Sequence, residues 1–566
     1  MTDIRRSILW VIFGFTLVLL WDRWQIHNGR AATFFPQPVA QKAAGAEPAA
    51  GASAAPKAAA QLPGTEPSTA AGAAVVAPRA KTVVTTDVLR VTFDSLGGSV
   101  VGADILAHKG STLSSKVKTD GPLTLLTETP THTYVAQTGL IGDASLPTHK
   151  TPMALVKAET ELKDGQNELV VRYETAPNAQ GVKLAKTYTI KRGAYDLKVV
   201  HEVVNIGASE VQPQLYLQLV RDGSTTASET PFYSTFTGPA VYTSEKKYQK
   251  VEFPQIDKGS ADFVKTAQNG YVAMVQHYFA SAWLLGEGIE REHFVRKLDA
   301  SLYAAGMITN VGAVPAGQSK AVESRLFLGP QEEKVLETVA PGLELVKDYG
   351  WLTMLAKPLY WLLEQIHKMV GNWGWAIVAL VVLIKAAFYW LNASAYRSMA
   401  KMKAITPRIT DMRERLKNNP QQMQVEMMKI YREEKVNPMG GCFPVLIQMP
   451  VFIALYWVLL SSVEMRNAPW LGWISDLSSP DPWFILPAVM TLTTIIQTSL
   501  NPLPPDPMQA KMMWIMPLVF SVMFFFFPSG LVLYWITNNT LTIIQQAYIN
   551  NSLGVPVKFS MPNFKS

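Results

Sequence analysis

Residues 373–391 read WGWAIVALVVLIKAAFYWL, an apolar run broken by one charge, Lys385. A charge at membrane depth costs at least ~2.5–3.5 kcal/mol on insertion scales, so such a lysine marks a water-filled cavity or a functional site. Snorkelling is the alternative. Lys385 lies six residues from the end of the run, ~9 Å at 1.5 Å per residue, and a lysine stem covers much of that. Four further apolar runs, roughly 443–463, 482–500, 513–527 and 530–548, contain no Asp, Glu, Lys or Arg. The bundle they predict therefore holds one cation and no carboxylate to pair with it.

The chain has 566 residues, 48% of them hydrophobic, and a mean hydropathy of +0.10. Apolar residues concentrate at the extreme N-terminus and after Trp351, which points to membrane segments flanking a soluble domain. The single cysteine, Cys442, excludes an internal disulfide and a Cys-based zinc site. The eight histidines show no metal-ligand spacing, and no GxxxxGK[ST] stretch occurs, so no metal, cofactor, nucleotide motor or catalytic residue is expected. The net charge of +7 comes from basic residues beside membrane runs. That pattern orients a protein in a bilayer rather than binding nucleic acid.

Arg5 and Arg6 precede Ser7–Trp21 (SILWVIFGFTLVLLW), short for a span and close to a signal-peptide core. The continuation Asp22-Arg23-Trp24-Gln25 lacks small residues for cleavage, which favours an uncleaved anchor with a cytoplasmic start. Residues 31–80 contain 20 alanines and 7 prolines and read as a flexible tether.

From about Val83 to Pro341 the period is two. Candidate strands are Val88–Phe93, Leu169–Tyr173, Lys186–Lys191, Tyr195–Val204, Gln214–Val220, Tyr271–Gln276 and Ser324–Leu328. Arg192-Gly193 marks a hairpin. Many short strands with Gly, Asn and Pro turns predict an antiparallel β-sandwich. No paired carboxylates or nucleophile–base spacing names a reaction there, and His201 and Glu202 are expected at the surface.

In 348–370, Trp351, Leu352, Leu355, Leu359, Leu362, Leu363 and Ile366 recur at helical spacing. This fits a helix lying in the membrane interface, or one packed on the exported domain. Loop 392–442 carries ten Lys and Arg, whereas 464–481 carries only Arg466. The ten-cation loop is therefore cytoplasmic. Within it, 394–416 and 421–434 are helical in composition and separated by Asn418-Asn419-Pro420. Met399, Met402, Ile405, Ile409 and Met412 would face Met423, Met427, Met428 and Ile430. Such a stripe serves as a hairpin core, as an adaptable apolar binding surface, or as both. Lys401, Lys403, Arg408, Arg413 and Arg415 give the hairpin its basic character. In the later runs Gln448, Thr491, Thr493, Thr494, Gln497, Asn538, Asn539, Thr540 and Thr542 either bond helix to helix or line a wet groove with Lys385. The runs are short, which favours local bilayer thinning.

Several stretches are specific enough to name relatives. Glu434-Lys435-Val436-Asn437-Pro438-Met439-Gly440-Gly441-Cys442-Phe443-Pro444 with VLIQMPVFIALYW (445–457) resembles the YidC/Oxa membrane-insertase family. So do Ser398-Met399-Ala400-Lys401-Met402, Met412-Arg413-Glu414-Arg415-Leu416, the run from Phe527-Pro528-Ser529-Gly530 to Tyr534, and Ile543-Ile544-Gln545-Gln546. The resemblance covers about 348–550. The anchor, tether and exported domain resemble the Gram-negative branch.

The resemblance implies a membrane α-helical bundle of six spans with a five-helix insertase core, plus a periplasmic β-supersandwich of galactose-mutarotase type. Its domains would be an anchor (1–25), a linker (26–82), the β-sandwich (83–341), an interfacial helix (342–372), a second span (373–391), the cytoplasmic hairpin (392–442), spans three to six (443–548) and a short cytoplasmic tail (549–566). It also implies a hydrophilic groove open to cytoplasm and lipid. The family's groove cation, usually arginine, would be Lys385. Val381 stands where close relatives carry threonine, and Trp535 where a tyrosine follows Tyr534. Gln448, Thr494, Tyr534, Trp535 and Asn538 complete the expected groove. Phe443, Leu446 and Phe452 would form a hydrophobic slide. Expected partners are nascent membrane proteins, the lipid bilayer, the Sec translocon with its accessory subunits, and the ribosome or signal-recognition machinery. Rival functions are a transporter or channel using Lys385 as an anion site, an enzyme in the exported domain, and a pure folding chaperone.

Overall fold

The computed structural model describes residues 79–111, 118–224, 235–416, 419–434, 443–501 and 507–552. The expected N-terminal anchor, nearly all of the linker and the tail after 552 lie outside these residues. The described chain falls into two compact units, 79–347 and 348–552.

The first unit is all-β. One nine-stranded sheet runs, in spatial order, Lys81–Thr85, Leu89–Asp94, Ser99–Ser111, Lys118–Glu128, Thr133–Ile141, Gln214–Asp222, Leu302–Asn310, Arg291–Asp299 and Thr266–Ala267. The second runs Lys247–Lys250, Gly238–Thr243, Tyr271–Val275, Phe279–Leu285, Ser319–Pro330, Asp196–Asn205, Val182–Lys191, Glu168–Thr175 and Met153–Ala158. Strand pairing within both sheets is antiparallel. Side chains alternate faces along a strand. In Glu168–Thr175 this buries Leu169, Val171, Tyr173 and Thr175 and turns their neighbours outward. All seven strands expected from the sequence exist: those at Leu169–Tyr173, Lys186–Lys191, Gln214–Val220 and Ser324–Leu328 are longer, those at Val88–Phe93 and Tyr195–Val204 are shifted onward by one residue, and that at Tyr271–Gln276 ends one residue earlier, at Val275. The Arg192-Gly193 hairpin turn is present, with Gly193 at φ +70.

The same alternation corrects the expectation for His201. It shares the inner face with Leu197, Val199 and Val203, is 1% exposed, and its Nε2 lies 2.9 Å from Thr138 Oγ1 on the facing sheet. Glu202 points the other way and pairs with Arg172 at 2.9 Å. Lys186, directly opposite His201, is fully buried and donates to Gly97 O (2.6 Å) and Thr138 O (2.8 Å). Tyr188 donates to Gly98 O at 2.7 Å. The turn they hold needs glycine: Gly97 has φ +69, and a Cβ there would stand 2.4 Å from His149 O.

The second unit is helical: α1 (Thr353–Val370), α2 (Trp373–Ala387), α3 (Tyr389–Arg415), α4 (Pro420–Glu433), α5 (Phe443–Ser461), α6 (Ile485–Leu500), α7 (Pro507–Met523) and α8 (Ser529–Ser552). Gly371 at φ +73 closes α1 in the left-handed conformation, as helix ends favour. Asn372 then caps α2 by accepting from Trp375 N at 3.1 Å. In α1 the buried face is Ala356, Tyr360, Leu363 and Ile366. The expected stripe is therefore rotated, and Leu355 stands exposed beside Met354 and Trp361.

The expected single run 373–391 is two helices. α2 ends at Ala387 and α3 departs at 67°. The break carries no proline or glycine. It falls inside the apolar run, three residues before that run ends at Leu391, and it exposes Phe388, Tyr389 and Trp390. The first hairpin helix therefore starts at Tyr389 rather than Ser394. The turn before α4 follows the Asn-Pro signal: Asn419 caps it by accepting from Gln422 N, with Pro420 at the first turn. Ile405, Ile409, Met412 and Ile430 form the hairpin core, with Met402, Leu416, Met423, Met427 and Tyr431 packed on it. Met428, expected in that core, is half-exposed, as is Val425, because both lie on the far side of α4.

No single described helix is both long and apolar enough to cross a membrane alone; α2 and the first half of α3 pass that test only as the bent pair. α8 packs against α2, α5 and α6. The segment 462–484 ties the start of α8 to the bundle: Ser529 N and Oγ both donate to Ser479 O at 2.8 Å, and Gly530 N to Leu477 O. Asp476 accepts from Asn467 N, Ser478 and Ser479. Asp481 accepts from Trp473 Nε1, Trp483 N and Leu486 N.

Candidate functional site: the buried lysine and its cavity

Lys385 sits in the last turn of α2, two residues before the helix ends. Its side chain turns inward toward α8 and is 8% exposed. Nζ donates to Thr542 Oγ1 at 2.8 Å, and that hydroxyl donates to Asn538 O, one turn back on α8, at 2.7 Å. Among the described residues no carboxylate pairs with Lys385. The lysine borders a small pocket of about 10 Å³, room for roughly one water, shared with Phe388, Asn392, Gln448 and Val451.

α8 supplies polar partners to four other helices, one of them α3, where Gln545 Nε2 donates to Tyr389 O at 3.4 Å. Asn538 Oδ1 accepts from Gln448 Nε2 on α5 at 3.0 Å. Asn539 Nδ2 donates to Thr494 Oγ1 at 3.0 Å and to Thr493 Oγ1 at 3.3 Å on α6. Thr542 serves α2. Gln546 Nε2 donates to Asn501 Oδ1 at 3.2 Å, just past α6.

The expected groove residues thus separate. Lys385 and Gln448 line one cavity, and Asn538 backs it through Gln448. Thr494 belongs to the Asn539 contact with α6, away from Lys385. Val381 and Tyr534 are buried. Phe452 meets Trp535 edge-on at 4.7 Å and Tyr534 stacked at 5.8 Å, so the expected slide and groove wall share one aromatic cluster. Phe443 and Leu446 lie in the first turn of α5, with side chains outside the described residues. In the hairpin, Lys401 and Arg415 are exposed, Arg408 bridges Glu433 and Glu434 at 2.9 Å, and Arg413 is half-buried. The side chain of Lys403 lies outside the described residues. Sequence reasoning did not place Asn392 in the site, and it named Thr542 only as one of many polar residues that could line a groove with Lys385, without singling it out as the lysine's partner.

Two family models cover nearly all of the described chain. Residues 81–362 match the YidC periplasmic domain. Residues 365–555 match the 60Kd inner membrane protein family. A curated protein of Cupriavidus necator, a membrane protein insertase YidC, is 53% identical over 98% of both chains. Another so named, from Ralstonia nicotianae, is 51% identical over 98% of this chain and 99% of its own. The chain belongs to the YidC family. A solved structure of active YidC insertase with its first transmembrane domain resolved aligns with 83% of this chain and 92% of its own, at 20% identity and a TM-score of 0.37. Membership in the YidC family makes this an inner-membrane protein whose β unit is its periplasmic domain.

Proposed function

We propose that this chain is a membrane protein insertase and chaperone that uses no nucleotide and catalyses no covalent chemistry. It acts from the inner membrane with six spans and both termini in the cytoplasm, and its domains follow the boundaries given above. A nascent hydrophobic helix meets the basic hairpin of α3 and α4 at the cytoplasmic face. Its short hydrophilic, often acidic, tail enters the cavity beside Lys385. The observation that carries this reading is the lysine itself: a buried cation, held by one hydroxyl, with no carboxylate partner among the described residues. In such a medium charge pairing exceeds its value in water. An incoming carboxylate supplies the missing charge.

The hydrophobic segment then leaves along the apolar wall that includes Phe443, Leu446, Phe452 and Trp535. Burial in lipid drives this step, at about 25 cal/mol per Å² of apolar area. The hairpin is the docking site for ribosome or signal-recognition partners, and the Sec translocon is the expected companion for longer clients. A channel or transporter would need a continuous path, whereas the cavity beside Lys385 is small and the loop 462–484 binds the start of α8.

The test is reconstitution of the purified full chain into liposomes with a single-span client bearing an acidic tail. Protease protection of the tail and dye leakage are read together. Protection without leakage, reduced by Lys385→Glu, is expected. Leakage or solute flux without protection would overturn the reading in favour of a channel.

A further inference from the structure

Lys385 lies close to the end of α2. Two residues separate it from the end of α2, roughly 3 Å of helix rise, and a lysine stem spans that distance easily. The side chain instead turns inward to α8. Thr542 is 5% exposed and spends its only hydrogen on Asn538 O. Its oxygen therefore faces Lys385 as an acceptor, with the Tyr396 hydroxyl bonded to the same side chain. A hydrogen bond with one charged partner is among the stronger ones, and here it competes with hydration at the helix end.

We infer that Thr542 is a positioning residue that keeps the Lys385 ammonium inside the bundle and so sets the preference for clients whose tail carries a carboxylate. This rests on the tail-capture reading above. An ammonium has three donors, and among the described residues only Thr542 takes one. The remaining two match the two oxygens of a single Asp or Glu side chain. Asn392 and Gln448 border the same cavity with neutral amides, so no fixed negative charge competes. Without the Thr542 oxygen, the ammonium extends to the cytoplasmic surface and its charge leaves the cavity, while the apolar exit wall stays intact. Tail-charge preference is then lost without loss of insertion as such.

The experiment uses proteoliposomes of the full chain and two clients that differ only by Asp→Asn in the tail. The quantity read is the ratio of protected acidic to protected neutral tails. The wild type favours the acidic tail, and Lys385→Met abolishes the preference. Thr542→Val, nearly isosteric, lowers it on the order of tenfold, and Thr542→Ser restores it. A second readout is the acylation rate of Lys385 by a water-soluble amine reagent, followed by peptide mass spectrometry. That rate rises several-fold in Thr542→Val and returns in Thr542→Ser. A wild type whose ratio equals that of Lys385→Met overturns tail capture, and this inference with it. Loss of preference in Lys385→Met but not in Thr542→Val, with unchanged acylation, overturns only the role of Thr542. If Thr542→Val depresses both clients alike, the acylation rate decides: faster labelling supports the positioning role, and unchanged labelling refutes it.

Discussion

Lys186 and His201 stand directly opposite each other on neighbouring strands, and both reach Thr138 on the facing sheet. Among the described residues neither has a carboxylate partner. Burial pushes Lys186 down to about 7 from 10.5. Burial, and then the charge of Lys186, push His201 down to about 3 from 6.5. His149, bonded to the Tyr216 hydroxyl at 2.6 Å, falls to about 3 through burial and then the charges of Lys150, Lys186 and Arg296.

All three are bases with depressed folded-state values, so the unfolded chain binds the extra protons. Stability therefore rises with pH wherever a folded and an unfolded value bracket it. For the two histidines that window runs from about 3 to 6.5, and for Lys186 from about 7 to 10.5. The periplasmic unit should lose stability on acidification through the first window, at about 1.4 kcal/mol per pH unit and per histidine, and gain stability as the pH is raised through the second. Hydrogen exchange of peptides spanning 182–205, corrected for intrinsic rates, reads both limbs. A flat profile from pH 4 to 6.5 would contradict the buried-neutral histidines.

Lys186→Met separates the two limbs. It removes the rise above pH 7, about 1.4 kcal/mol per unit, and leaves the acid limb nearly intact. It also strips a donor from Gly97 O and Thr138 O, which costs ~1–3 kcal/mol for each carbonyl left unsatisfied. An upper limb that survives the substitution would assign it to another group.

The hairpin offers a paired comparison of neighbouring apolar residues. Ile409 lies in the core at 1% exposure and Met428 outside it at 50%. Ile409→Ala should destabilise the hairpin by ~2–4 kcal/mol, seen as faster proteolysis within 389–434. Met428→Ala should change it by less than ~0.5 kcal/mol. Equal sensitivity at the two positions would mean that the hairpin buries a different face.

Asp481 caps α6 through Leu486 N at 2.7 Å while holding both Trp473 and Trp483. Asp481→Ala should cost ~1–2 kcal/mol as a lost cap and open 466–484 to protease from the periplasmic side. Asp481→Asn, which keeps one acceptor oxygen, should cost less.

Much of this was legible in the residues because periodicity is a direct image of burial. Leu169, Val171 and Tyr173 alternate, and a strand follows. Asn419-Pro420 breaks one helix and caps the next. His201 was equally legible, since Leu197, Val199 and Val203 fix its face; a polar residue type outweighed the period. The bend at Phe388 had no such signal, because neither proline nor glycine marks it and the apolar run continues to Leu391. The partner of Lys385 was hidden for another reason. Which of the many Thr and Asn side chains on α8 meets α2 depends on how two distant helices are rotated against each other, and no local pattern encodes that rotation.

The shortness of the helices bears on how a client departs. α6, with 16 residues, spans about 24 Å at 1.5 Å per residue, against about 30 Å of hydrocarbon in an ordinary bilayer. Lipid that adjusts to such a wall is compressed around it. A client helix of about 20 residues matches the relaxed bilayer better than this compressed collar. Each ångström it drifts outward therefore relieves mismatch. On the insertase reading proposed above, such a collar would favour the departure of an inserted helix and give that step a direction through the elasticity of the membrane.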